Sequence, residues 1–110
     1  MLTGRRATTH WNALDLLARF GAMPVADRVV RDGNVITAGG VTSGIDFGLA
    51  VIAEVLGQDE AETVQLSLGY APAPPFDAGT PATVRPAILA EVRRRLGASR
   101  QEREALLRQI

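Results

Sequence analysis

The stretch VTSGIDFGLAVIAEVLG, residues 41–57, places the strongest constraint on the fold. Ile45, Leu49, Ile52 and Leu56 recur at i, i+4, i+7 and i+11, which puts them on one face of a helix. Thr42 or Ser43 can cap its start, Asp46 in the first turn complements the helix dipole, and Gly57 closes it. Gly44, Gly48 and Ala50 are small enough to let neighbouring backbone approach closely. A helix with such a face needs a sheet to cover it.

The rest of the chain offers little sheet. RRATT, residues 5–9, suits a short strand that ends at His10. In NALDLLARF, Leu14, Leu17 and Phe20 fall at helical spacing, with Asn12 as N-cap and Gly21 as stop. ADRVVRDGNVITAGG reads as a hairpin with strands at about 27–31 and 34–38, because an Asp-Gly centre between β-branched runs supplies the positive φ of a tight turn. QDEAETVQLSLGY is a second helix whose first turn is acidic. YAPAPPFDAGTPATVRP holds five of the six prolines and should run extended over the surface, its 71–76 stretch available to a partner protomer. AILAEVRRRLGASRQEREALLRQI is helical, with a break expected near Gly97, Ser99 capping the last piece, and Arg93, Arg94 and Arg95 on a solvated face. An isolated two-stranded hairpin is marginal in water. The inventory therefore predicts the second half of an α/β domain whose other strands lie elsewhere. One partial domain covers 1–110: a sheet-and-helix core over 1–70, an extended arm over 71–83, and C-terminal helices over 84–110.

Composition removes several function classes. Twelve basic and twelve acidic side chains give a formal net charge of zero, so there is no electrostatic case for nucleic acid or an anionic membrane. No apolar run approaches the ~20 residues of a membrane span, and MLTGRRATTH lacks a signal-peptide core, so a cytoplasmic location is expected. There are no cysteines, which removes disulfides, thiolate metal sites and any cysteine nucleophile within the chain. A single histidine leaves no histidine-rich metal site. Neither metal nor cofactor is expected. The serines have no Gly-x-Ser-x-Gly elbow.

What remains is ATTHW, residues 7–11, which holds the only histidine and the only tryptophan. His10 is either a reactive group at a strand end or a structural one packed beside Trp11. Thr8 and Thr9 either offer hydroxyls to a cleft or fill a strand. Trp11 either lines an apolar pocket or packs in the core. Gly39 and Gly40, ahead of Thr42 and Ser43, form a glycine-rich turn into a helix. Such a turn can present free N–H groups, though it carries neither G-x-G-x-x-G nor a P-loop lysine.

Taken in order, ATTHW, then VVRDGNVITAGGVTSGIDFGLAVIAEVLG, then YAPAPPFDAGTPA resembles the C-terminal half of the ThiJ/PfpI superfamily, which has the class I glutamine-amidotransferase-like fold. The resemblance runs from Leu2 to about Leu96. It implies a flavodoxin-like, doubly wound sheet, of which this chain is the C-terminal half. It also implies a cysteine nucleophile on a sharp strand-to-helix turn, assisted by an acidic residue, both in the half that precedes this sequence. The PPFDAGTP segment resembles the branch that hydrates isonitriles to N-substituted formamides, a lyase activity. On that resemblance His10 is the catalytic candidate, close to the cysteine. Thr8, Thr9, Trp11, Gly39 and Gly40 are the substrate-binding candidates. A small-molecule substrate is then expected only with the complementary half; the chain alone is expected to be inactive, and its expected protein partner is a further copy of itself or the complementary N-terminal chain. The alternative is a non-enzymatic sensor or dimerisation module like that of AraC-type transcription regulators. The short helical tail carries no basic recognition helix, which counts against it.

Overall fold

A computed structural model describes all 110 residues, Met1–Ile110. Strand β1 is Arg6–Ala7, and a 3₁₀ helix over Trp11–Phe20 follows it. Strand β2 (Met23–Pro24) comes next, and then the hairpin of β3 (Val29–Asp32) and β4 (Val35–Ala38). Helices α1 (Ser43–Leu56), α2 (Gln58–Leu68) and α3 (Pro86–Leu107) complete the chain.

The hairpin forms as the Asp-Gly centre predicts. β3 and β4 are antiparallel, pairing Val29 with Ala38 and Asp32 with Val35, and Gly33 takes φ +62°. β1 is shorter than the expected 5–9, and its backbone partner is β2, a parallel strand that no sequence pattern announced. Arg5 and Ala7 carbonyls accept the N–H groups of Met23 (2.8 Å) and Val25 (2.9 Å). The opposite edge of β1 meets the hairpin through side chains. The Arg6 N–H donates to Asp32 Oδ2 (2.8 Å) and the Thr8 N–H to Thr37 Oγ1 (2.9 Å). Backbone edges that would otherwise be orphaned are thus satisfied without a continuous ladder.

The segment after ATTHW is helical but wound as 3₁₀, and its cap is His10 rather than Asn12. His10 Nδ1 accepts the Asn12 N–H at 3.2 Å, so Asn12 already lies inside the helix. Leu14, Leu17 and Phe20 are three residues apart, the spacing that a 3₁₀ helix brings into line. At the start of α1 neither Thr42 nor Ser43 caps through its side chain; Ser43 Oγ instead donates to the Gly39 carbonyl. Beyond its chain neighbours and the helix's own backbone, nothing lies within 4 Å of where a Cβ at Gly44 or Gly48 would stand, so the expected close approach is absent. α3 is continuous through Gly97, because one helix-interior glycine costs only about 1 kcal/mol and both flanks are strong helix formers. The 71–83 arm is free of helix and strand.

α1 packs on α2 and on the hairpin, while α3 packs on the 3₁₀ helix. Arg100 makes that second contact specific. It donates to Asp15 through both Nη atoms (2.7 Å each), to the Asn12 carbonyl (2.7 Å) and to Glu104 (2.5 Å). The molecule is a slab of 43 × 37 × 19 Å with a radius of gyration of 16.0 Å. A compact domain of this length would have about 13 Å. Only six residues are buried, and the apolar face of α1 is at best half-buried: Ile45 is 47% and Leu56 67% exposed. No helix is long and apolar enough to cross a membrane.

Candidate active site

Five pieces of chain meet around one cavity of about 380 Å³: the end of β1, the loop before β3, the turn after β4, the first residues of α1, and the far end of the arm. His10, Thr8, Thr9, Trp11, Gly39 and Gly40, the six residues singled out from the sequence, all line it. Residues 8–11 and 39–40 are brought together because β1 lies alongside the hairpin, with its Thr8 N–H held by Thr37.

The turn is built for close contact. A Cβ on Gly39 would stand 2.7 Å from the Thr9 carbonyl oxygen, so only glycine lets the two backbones meet here. Gly40 has φ +77°, and its missing side chain faces His10 Cδ2 at 3.7 Å. The His10 ring is thus held from two sides, by the Asn12 N–H on Nδ1 and by Trp11, whose ring centre is 5.2 Å away and tilted by 34°. Because Nδ1 accepts, neutral His10 carries its proton on Nε2, the ring atom next to Cδ2. The packing beside Trp11 and the bond to the Asn12 N–H are the structural side of ATTHW, and Nε2 makes no hydrogen bond within the chain.

Thr8 is buried, and its hydroxyl donates to the Asp27 carbonyl at 2.9 Å. That bond ties the strand end to the loop before β3. Thr9 is half-buried, and its carbonyl faces Gly39. Ser43, fully buried, fastens the start of α1 to the same turn through Gly39.

Two contributors carry no sequence signal. Arg28 lines the cavity, and its Nε donates to Asp46 Oδ2 at 2.5 Å. The other oxygen of Asp46 accepts the Tyr70 hydroxyl. Asp46 thus does more than complement a dipole. The Tyr70 hydroxyl first, and the Arg28 guanidinium next, hold its carboxyl below the usual range, while the same hydrogen bond to Asp46 pushes the Tyr70 phenol up. The second contributor is the arm, whose Gly79, Thr80 and Pro81 reach the cavity. Proline density predicts an extended path but not its destination. No three histidine, cysteine or acidic side chains gather as metal ligands.

Comparison with known proteins places this arrangement. Residues 1–54 match the DJ-1/PfpI family. The chain is 57% identical over 99 residues to an isonitrile hydratase from Pseudomonas putida, covering 90% of this chain and 43% of that protein, within its C-terminal part. A crystal structure of a ThiJ/PfpI family protein from Pseudomonas syringae superposes with a TM-score of 0.90 at 43% identity, over 96% of this chain and 44% of that one. The chain thus spans less than half the length of each of these relatives. The fold is of the α/β, flavodoxin-like kind that the motif order implied.

Proposed function

Because the chain belongs to the DJ-1/PfpI family, we propose that it forms one wall of an active site that hydrates isonitriles, R–NC, to N-substituted formamides, R–NH–CHO. In that reaction the water oxygen becomes the formyl oxygen, one proton ends on carbon and the other on nitrogen. A nucleophile must reach the terminal carbon and a donor must supply a proton. His10 is the donor this chain offers, its Nε2 proton set by the Asn12 bond to Nδ1. Trp11 gives the cavity an apolar wall for the substituent, and Gly39 and Gly40 keep side chains out of it. The chain has no cysteine, so the thiolate implied by the family resemblance comes from sequence outside these residues. One observation carries the reading: Thr8–Trp11 and the Gly39–Gly40 turn line one shared cleft in a chain that matches an isonitrile hydratase along nine-tenths of its length.

The test is reconstitution. The chain is co-produced with the part of the P. putida hydratase that precedes the matched region, and the purified pair is incubated with an alkyl isonitrile while formamide is followed by NMR. Formamide should appear with the pair and not with either part. His10→Ala in the pair should lower the rate by ~10²–10⁴-fold, the usual contribution of a positioned acid or base. A soluble pair that yields no formamide from any isonitrile overturns the reading.

A further inference from the structure

The arm, which carries the PPFDAGTP segment, is the part of the cleft to which the reading above gives no role. Among residues 71–83 only Pro81 is half-buried, and all the others are exposed. Pro81, with Thr80 and Gly79, lines the cavity that holds His10 and Trp11. The bonds that hold the arm lie at its two ends. At the root, Tyr70 exchanges bonds with Gln65 (Tyr70 N–H to the Gln65 carbonyl, 3.1 Å; Gln65 Nε2 to the Tyr70 carbonyl, 3.0 Å), and its hydroxyl sits on Asp46. At the far end the Thr80 carbonyl accepts the N–H groups of Thr83 (3.2 Å) and Val84 (3.1 Å), just ahead of α3. Between these anchors Pro72, Pro74 and Pro75 stiffen the first stretch, and the chain bends at Pro75–Asp77 and again at Gly79–Thr80. The cavity-facing residues Gly79–Pro81 sit at this far anchor, where the Thr80 hydroxyl also bonds the Thr83 hydroxyl (2.9 Å).

Asp46 joins this arm to the cleft. One carboxylate oxygen takes the arm's root and the other takes Arg28, which is itself a cavity residue. We infer that Thr80 and Pro81 form a specificity-determining wall that controls access to His10 and limits the size of the substituent R, and that Tyr70 positions this wall through Asp46. The specificity half of this inference rests on the hydratase reading above; the access half does not.

Two measurements separate them. His10 is the only histidine, so its carbethoxylation by diethyl pyrocarbonate, read as mass added to its peptide at fixed pH, reports cleft access directly. In the reconstituted pair, kcat/KM for cyclohexyl isonitrile relative to methyl isonitrile reports the room left for R. Pro81→Gly should speed His10 modification several-fold. It should also shift the cyclohexyl-to-methyl ratio on the order of tenfold towards the bulky substrate, the scale on which pocket walls discriminate apolar groups. Tyr70→Phe should move both readouts the same way by less, with the Arg28–Asp46 pair kept. Thr80→Ala, which retains the Thr80 carbonyl bonds, serves if Pro81→Gly loses its helical circular dichroism. A folded variant that leaves both readouts at the unsubstituted values overturns the inference. If no protein turns over either isonitrile, the hydratase reading fails, and the modification rate alone upholds or overturns the wall.

Discussion

Gly39→Ala tests the seam on which the candidate site depends. The added Cβ would stand 2.7 Å from the Thr9 carbonyl oxygen and 3.2 Å from its carbon, both backbone atoms that no rotamer change can move. Restoring ordinary contact requires the turn and the strand end to separate by roughly 0.5–1 Å. That displacement lies beside two hydrogen bonds of 2.9 Å, Thr8 N–H to Thr37 and the Thr8 hydroxyl to Asp27. Overpacking of this kind costs ~1–3 kcal/mol. With a urea dependence of ~1–3 kcal/mol per molar, the unfolding midpoint should fall by about 1 M. Trp11, the only tryptophan and a wall of the same cavity, reports the transition by its fluorescence. Gly40→Ala is the control with a different cause: its nearest neighbour is 3.7 Å away, but φ +77° imposes ~1–2 kcal/mol of left-handed strain. A Gly39→Ala protein with an unshifted midpoint would refute the close approach, and with it the account of how the turn shapes the cleft.

Other consequences are open to the same equipment. Arg100→Ala removes the bonds from α3 to Asp15 and to the Asn12 carbonyl, and should cost ~1–3 kcal/mol in urea unfolding, mostly from the half-buried carbonyl left unpaired, since Asp15 is 69% exposed. Gly97→Ala should stabilise by up to ~1 kcal/mol, because α3 is continuous there and a Cβ meets nothing within 4 Å; a lower midpoint would mean that the helix breaks at 97. Asp46 has a folded pKa below its unfolded value, so between the two the unfolded chain binds more protons. Its contribution is therefore complete above the ordinary carboxylate range and is lost as pH falls through the folded value. Asp46→Asn should accordingly lower the midpoint near neutral pH and converge with the unsubstituted protein in strong acid; equal loss at both pH values would contradict the ion-pair account.

Much of the fold is legible along the chain because its causes are local. The Asp32-Gly33 turn between valine-rich runs specifies a hairpin by its φ requirement alone. Ile45, Leu49, Ile52 and Leu56 specify a helix by period, and the prolines after Tyr70 forbid regular structure. The gathering of ATTHW with Gly39 and Gly40 was available only through the resemblance of the motif order to a family, since nothing in either segment encodes the other's position.

Tertiary contact decided the rest. Whether His10 or Asn12 caps the 3₁₀ helix turns on one ring nitrogen reaching one N–H. Whether Asp46 serves a dipole or a clamp turns on Arg28 and Tyr70, 18 and 24 residues away, arriving at its two oxygens. The destination of the arm is set in the same way, by Tyr70 at one end and the Thr80 turn at the other. Period and turn chemistry act over a few residues and survive in any surroundings, so the sequence by itself determined the β3–β4 hairpin and the helices, whereas β2 exists only by pairing with β1. Close approach, shared carboxylates and cavity walls exist only once distant segments share a volume, so the site belongs to the folded structure.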